Sequence, residues 1–456
     1  MRELLLPLLL STLFLFPFSV VASSGSECNS FMLTFDGNDV MEQRLAEEWR
    51  NSNLDWKLVY ASTLEFGNNS FGGLIPPSIC NLFKLETLDL KSNSINGSIP
   101  LDIGRLQHLK VLCISRNMLL GSIPPTISNL SSLEHLSLSL NFLEGQIPKE
   151  INKLTNLKNM YMGMNKLSGQ IPSIGNLFML ENLYLARNSL QGNIQNEISN
   201  LTNLSCIYVS ANQLSGHIPR GIGKFTRLQE LFLDNNNLEG SIPMKIGNLQ
   251  QLEILQLSQK KLRGFLPSEI LNMSTLEVLS LSNNSLSGSL PSNFGFGLSN
   301  LQMLYLWGNK LSQKIPNTIS NASKLTTLEL EDNNFKGVLP NTLGHLRYLE
   351  TLSVSDNNFT SIDTSNSEIG FFNSLSNCRH LNSLILSMNP LHMKLPKSIE
   401  NLSNSLQVLL VDSCRINGNI PSEIGNLSNL FQLSLAENFQ MDQYQKQLAT
   451  YKLLKI

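Results

Sequence analysis

A leucine pattern dominates the chain between residues 64 and 438. A clean copy is Leu228–Pro243, LQELFLDNNNLEGSIP, which reads L-x-x-L-x-L-x-x-N-x-L-x-G-x-I-P. Within it Leu231 and Leu233 alternate with Phe232 and Asp234, the period of a strand with one buried face. A linking segment such as MKIGNLQQ follows, and then the next copy begins. The turn asparagines index sixteen copies: Asn69, Asn93, Asn117, Asn141, Asn165, Asn188, Asn212, Asn236, Lys260, Asn284, Asn309, Asn333, Asn357, Asn389, Cys414 and Asn438, with Lys and Cys in two of the slots. Most steps are 24 residues, with 23 at Asn188, 25 at Asn309 and Cys414, and 32 between Asn357 and Asn389. A single core stops growing at about 250–300 residues. This chain is longer, and its fixed period decides for growth along one direction. The pattern therefore predicts an α/β solenoid whose strands pair coil to coil into one long parallel sheet, with the leucines as a continuous core.

Each position has a physical reading. The turn Asn points inward where strand pairing ends, so its amide can bond backbone groups of its own and neighbouring coils as a ladder. Cys414 can fill that slot as a small polarizable group. Lys260 cannot accept a hydrogen bond, so the ninth coil is expected to be looser. Gly240, four residues after its Asn, allows a tight bend, and Pro243 fixes φ where no ladder donor is wanted.

The flanks read differently. Arg2 followed by LLLPLLLSTLFLFPFSVV and Val20-Val21-Ala22 reads as a secretory signal over residues 1–22. The rival is an uncleaved anchor, which Pro7 and Pro17 argue against. Residues 23–63 form a capping segment, in which Met41–Trp49 spaces Leu45 and Trp49 as on a short amphipathic helix. The formal net charge of −2, with 15% charged residues, offers no basic field for nucleic acid. The six cysteines, Cys28, Cys80, Cys113, Cys206, Cys378 and Cys414, show no metal-ligand spacing. Cys113 and Cys206 sit four coils apart, beyond the ~7 Å Cα reach of a disulfide, and read as free thiols. No metal, cofactor or catalytic constellation is expected. Gly295-Phe296-Gly297 lies in a linker, where it would absorb an extra residue.

The period of 24 with L-x-G-x-I-P resembles the plant-type leucine-rich repeat of receptor-kinase ectodomains and of secreted inhibitors of cell-wall-degrading enzymes. Phe371–Cys378, FFNSLSNC, followed by PKSIENLSNSLQVL, resembles the elongated repeat of the immune receptors that sense bacterial elongation factor Tu and flagellin. The resemblance implies a right-handed superhelix with the sheet on the concave face, no catalysis without the family's kinase part, a peptide or protein ligand, and a co-receptor kinase. It implies a secreted or cell-surface location, with membrane attachment only through a segment outside this sequence. Two departures stand out. The cysteine pair that usually flanks the Trp before the first coil is missing around Trp56. The array stops at Asn438, and residues 439–456 show no paired-cysteine cap, so the chain reads as a truncated receptor. The alternatives are a secreted enzyme inhibitor or a non-functional gene fragment.

Candidate contacts lie between the inward leucines. Tyr161, Tyr184, Tyr208 and Phe232 occupy one outward position over four adjacent coils, with Arg187 and Asp234 beside them. Aromatics and Arg concentrate interface energy, although aromatics also simply suit exposed strand positions. Tyr305 and Trp307 share an outer face near Glu329, Glu331, Asp332 and Asp356, as in a dock for a basic group or a merely solvated acidic face. Glycosylation sequons occur at Asn68, Asn96, Asn129, Asn200, Asn203, Asn272, Asn283, Asn321, Asn358, Asn401 and Asn426. Most would leave the concave sheet free; Asn283 is the exception, near a strand end. The long repeat, residues 357–388, reads as structural slack or as a loop overhanging the concave face.

Overall fold

The computed structural model describes residues 61–258, 261–360 and 370–438. Sixteen short strands, from Thr63–Glu65 to Gln432–Ser434, pair in chain order into one parallel sheet. The register repeats coil by coil, with Leu231 aligned to Ile207 on one side and to Leu255 on the other. The middle residue of each strand points inward, as the alternation requires. In the copy that defines the pattern, Leu228, Leu231, Leu233, Leu238, Ile242, Ile246 and Leu249 are all buried. Full burial of such a side chain stabilises by roughly 1.5–3 kcal/mol relative to exposure, and no coil can achieve it without its neighbours.

The return path of each coil follows from its Gly and Pro. Gly240 sits at φ 85°, a left-handed conformation in which a Cβ would be strained. Pro243, at φ −64°, opens the 3-10 turn Met244–Asn248. Such turns, rather than α-helices, form most of the linkers, and short lateral strands such as Asn237–Glu239 pair between them and the main sheet. The linker with one extra residue, around Gly295 and Gly297, has no 3-10 turn. A Cβ on Gly297 would stand 1.6 Å from the Leu271 carbonyl oxygen of the preceding coil, so glycine there permits a close backbone approach.

The asparagine ladder is present. Asn141 Nδ2 donates to the carbonyls of Ile114 in the coil before (3.0 Å) and of Leu138 and Ser139 in its own coil, while its Oδ1 accepts from the Leu119 amide (3.0 Å). Cys414 replaces half of this set. Its buried Sγ donates to the Leu386 carbonyl at 3.2 Å. A thiol is a poor acceptor, and the Leu391 amide, which stands where Leu119 does, turns instead to Asn389 of its own coil at 2.7 Å. Among the described residues the last lateral strand is Asn358–Phe359, in the coil before that of Asn389. Lys260 lies outside the described residues, as do the signal segment, Met41–Trp49, Trp56 and the C-terminal tail.

The long repeat departs from its siblings. Residues Gly370–Leu375 form an α-helix, whose Phe371, Phe372 and Leu375 are buried. It packs on the 3-10 turn Asn341–His345, where Gly344 leaves room for the Ser374 carbonyl. The helical part of the insertion thus fills the core, and residues 361–369 are outside the description.

The cysteine expectation needs one correction. Cys206 is free, as are Cys80, Cys378 and Cys414, but Cys113 is disulfide-bonded. Cys113 is not bridged to Cys206, which stands four coils away as a free thiol.

Candidate ligand-binding face

Three outward columns run along the main sheet, because each strand turns its first and third residues outward and the alternation carries one further outward residue into the turn. Over coils five to eight the first column is Asn159, Asn182, Cys206 and Glu230, and the second is Tyr161, Tyr184, Tyr208 and Phe232. The four rings meet as a stack. Centroids are 4.7 Å apart for Tyr161 and Tyr184, 4.3 Å for Tyr184 and Tyr208, and 4.2 Å for Tyr208 and Phe232, the last two pairs nearly parallel. His135, in the first column of the coil before, stands 5.4 Å from the Tyr161 ring.

That packing corrects the expected exposure of the column. Tyr161, Tyr208 and Phe232 retain only 4%, 8% and 9% of their surface, and Tyr184 is half-buried. Strand spacing of about 4.8 Å is close to the thickness of stacked rings, so neighbours cover one another's faces. Burial raises the hydroxyl pKa of Tyr184 and Tyr208 well above the usual phenol range, and it pushes His135 down to about 4.

The first column was not singled out from the sequence. The Tyr208 hydroxyl donates to the Glu230 carboxylate, and Cys206 packs against the stack, its thiol pushed up to about 11 by burial. The signal was available two residues before each tyrosine. In the third column Asp234 accepts from Ser210 Oγ (2.5 Å) and Asn235 Nδ2 (2.6 Å). Burial raises its pKa, against those bonds and the weaker pull of exposed Arg187, which lies two coils away.

The second candidate lies farther along. Tyr305 faces Glu329 in register, and the chain continues so that Trp307 faces Glu331. All four are half-buried, while Asp332 and Asp356 are exposed. Burial and then the neighbouring Glu331 push Glu329 up to about 8, burial raises Glu331, and Tyr305 rises to about 12. A carboxyl raised in the folded state contributes its stability below its unfolded pKa and loses it as pH climbs through the folded one. Thermal stability should therefore fall between pH 4.5 and about 8. Glu329→Gln should flatten that slope; melting curves that keep the same pH slope in the variant would contradict the assignment.

Ten of the eleven sequon asparagines are exposed; Asn203 is half-buried, its amide donating to the Phe178 carbonyl. Asn129, Asn200, Asn272, Asn321, Asn401 and Asn426 each end a 3-10 turn, away from the main sheet. Asn283 instead bonds the Trp307 carbonyl through its backbone, at the edge of the strand face. Among the described residues no group of His, Cys, Asp and Glu could hold a metal ion, and no helix is long and apolar enough to cross a membrane.

Family models of the leucine-rich repeat match residues 63–171 (leucine-rich repeat region), 274–335 and 299–359, and 227–249 and 405–427. No curated protein sequence matches. The chain is similar to the plant peptide hormone receptor RGFR1, solved in complex with RGF2, at 39% identity and a TM-score of 0.77 over 83% of this chain and 59% of that one. It is similar to the Arabidopsis receptor kinase HAESA, solved with the peptide hormone IDA and the co-receptor SERK1, at 34% identity and a TM-score of 0.70 over 82% and 66%. The Leptospira interrogans protein LIC12759 matches at 27% identity and a TM-score of 0.60 over 90% and 96%. The chain thus spans less than two thirds of either plant receptor structure. The matched repeats fall on the coils described above, and the chain is a leucine-rich-repeat protein, similar over most of its length to the ectodomains of plant receptor kinases.

Proposed function

We propose that this chain is an extracellular recognition module that binds a peptide or protein on its concave sheet, as the ligand-binding part of a plant receptor at the cell surface. The observation that carries the reading is the unbroken stack from Tyr161 to Phe232, flanked by Arg187 and Asp234. A pre-packed aromatic platform loses little conformational freedom when it binds, and its ring edges and charged rim supply contacts. Most sequons sit off this face, so sugars attached there would leave it open. The relatives solved with peptide hormones and with a co-receptor support a peptide ligand and a co-receptor. The likeness of Phe371–Cys378 to the elongated repeat of immune receptors favours a role in defence.

The test is selection of peptides from a displayed random library on the full chain. Peptides selected in this way should bind Tyr184→Ala at least about tenfold more weakly, or about 1.4 kcal/mol. Tyr208→Phe keeps the ring and loses the hydroxyl's bonds to Glu230 and Tyr184, so it should retain binding. Melting temperatures are compared alongside, because buried rings also support the fold. If no peptide is enriched, or enriched peptides bind Tyr184→Ala unchanged, this reading fails.

A further inference from the structure

Coils eleven to fifteen present a different concave surface from the tyrosine stack. Their strands and following turns, residues 303–309, 327–333, 351–357, 383–389 and 408–414, carry Glu329, Glu331, Asp332, Asp356 and Asp412, and no Lys, Arg or His. The whole chain is nearly neutral, so this is a local concentration of one sign. Beside Trp307 two buried polar atoms lack a hydrogen-bond partner among the described residues: Ser282 Oγ in coil ten and Glu331 Oε2 in coil twelve, the carboxyl of the latter also being bonded by Ser353. They belong to the coils on either side of Trp307, so a donor and an acceptor flank one aromatic ring. Buried polar groups are normally paired, and leaving them unpaired is unfavourable. Two orphans beside an indole mark a place where a ligand group could complete the bonding.

The same second column continues from Tyr305 and Glu329 through Ser353 to Ile385 and Leu410. Ile385 and Leu410 are half-buried. Ser353 and Ser355 between the two ends are small, so a shelf separates the acidic end from the aliphatic end. Glu329 and Leu410 are three strand spacings apart, about 14 Å, which an extended chain covers in about four residues.

We infer that this half of the sheet takes an extended peptide bearing a basic side chain and an aliphatic side chain about four residues apart. The inference rests on the concave-face reading above and specifies its ligand. The basic stem lies over Tyr305 and Trp307, its charged head meets Glu331 Oε2, and the aliphatic side chain rests on Ile385 and Leu410. Charge complementarity with the acids of this face, of which Glu329 ionises only as pH climbs through about 8, fixes the sign of the partner and steers its approach.

Fluorescence anisotropy of the full chain with labelled Gly/Ser peptides tests it. One peptide carries Arg and Leu about four residues apart, two carry either residue alone, and one carries them adjacent. The spaced Arg–Leu peptide should bind at least about tenfold more tightly than each of the other three. Glu331→Gln keeps the shape and removes the charge, so it should remove most of that advantage; Tyr184→Ala should leave it in place. Equal binding of all four peptides, or an undiminished advantage in Glu331→Gln, would overturn the inference. In either case library-selected peptides that depend on Tyr184 would leave the proposed function standing. Loss of those peptides together with the designed ones would remove both.

Discussion

Asn141→Ala should destabilise the array by about 1–3 kcal/mol, the cost of one buried polar group left without its partner. The substitution strands the Leu119 amide, held by this side chain across the coil boundary, while the Ile114 carbonyl loses one of two donors and keeps Asn117 Nδ2. The carbonyls of Leu138 and Ser139 lose a donor as well. Because each coil contacts mainly its neighbours, a solenoid need not unfold as one unit. The effect is therefore read most clearly as faster hydrogen exchange in the third and fourth coils, with a lowered melting temperature alongside. The natural exception supplies the control. Cys414 donates to the Leu386 carbonyl but its thiol does not stand in for the amide oxygen, so Asn141→Cys should fall between wild type and Asn141→Ala. An Asn141→Ala protein as stable as wild type would mean that the ladder decorates the stack without holding it.

Phe335→Ala should cost about 3–5 kcal/mol, the range for emptying a fully buried aromatic site. Phe335 is completely buried and lies near-parallel to Phe359 of the next coil, centroids 6.2 Å apart. Its backbone amide is also held by Asn357 Oδ1, so the main chain cannot easily shift to close the cavity. Most other coils carry Leu at this place, including Leu238, Leu262, Leu286 and Leu311, all buried. Phe335→Leu should therefore cost under about 1.5 kcal/mol, as volume-tolerant hydrophobic exchanges do. Chemical denaturation followed by circular dichroism compares the two, and equal losses would show that the site does not read side-chain volume.

The architecture was legible because one period controls it. Every inward leucine, turn Asn and bend Gly repeats at nearly constant spacing, and each has a single physical role that alternatives fill poorly. What the spacing could not convey was side-chain contact. The second outward column was visible as Tyr161, Tyr184, Tyr208 and Phe232, but its burial depends on rings of adjacent coils meeting at strand distance. Nothing in one repeat reveals that. Glu230 escaped notice because its role exists only through the Tyr208 hydroxyl one coil away. The disulfide of Cys113 was likewise invisible to a distance argument built on a single candidate partner. The helix at Gly370–Leu375 replaces a 3-10 turn because extra length gives Phe371, Phe372 and Leu375 room to reach the core.

The division of labour that results is simple. The inner half of each repeat builds the wall, and the outward columns differ along it, aromatic and mixed in coils five to eight, acidic and then aliphatic in coils eleven to fifteen. Recognition by the concave sheet is the central claim. Hydrogen-exchange mass spectrometry of the full chain, with and without a library-selected peptide, tests it most directly. Protection is expected to concentrate in the strands and following turns of the main sheet, over Asn159–Asn236 or Met303–Cys414, with the 3-10 turns unchanged. Protection confined to the 3-10 turns, such as Asn196–Asn200 and Ser268–Asn272, would contradict the account.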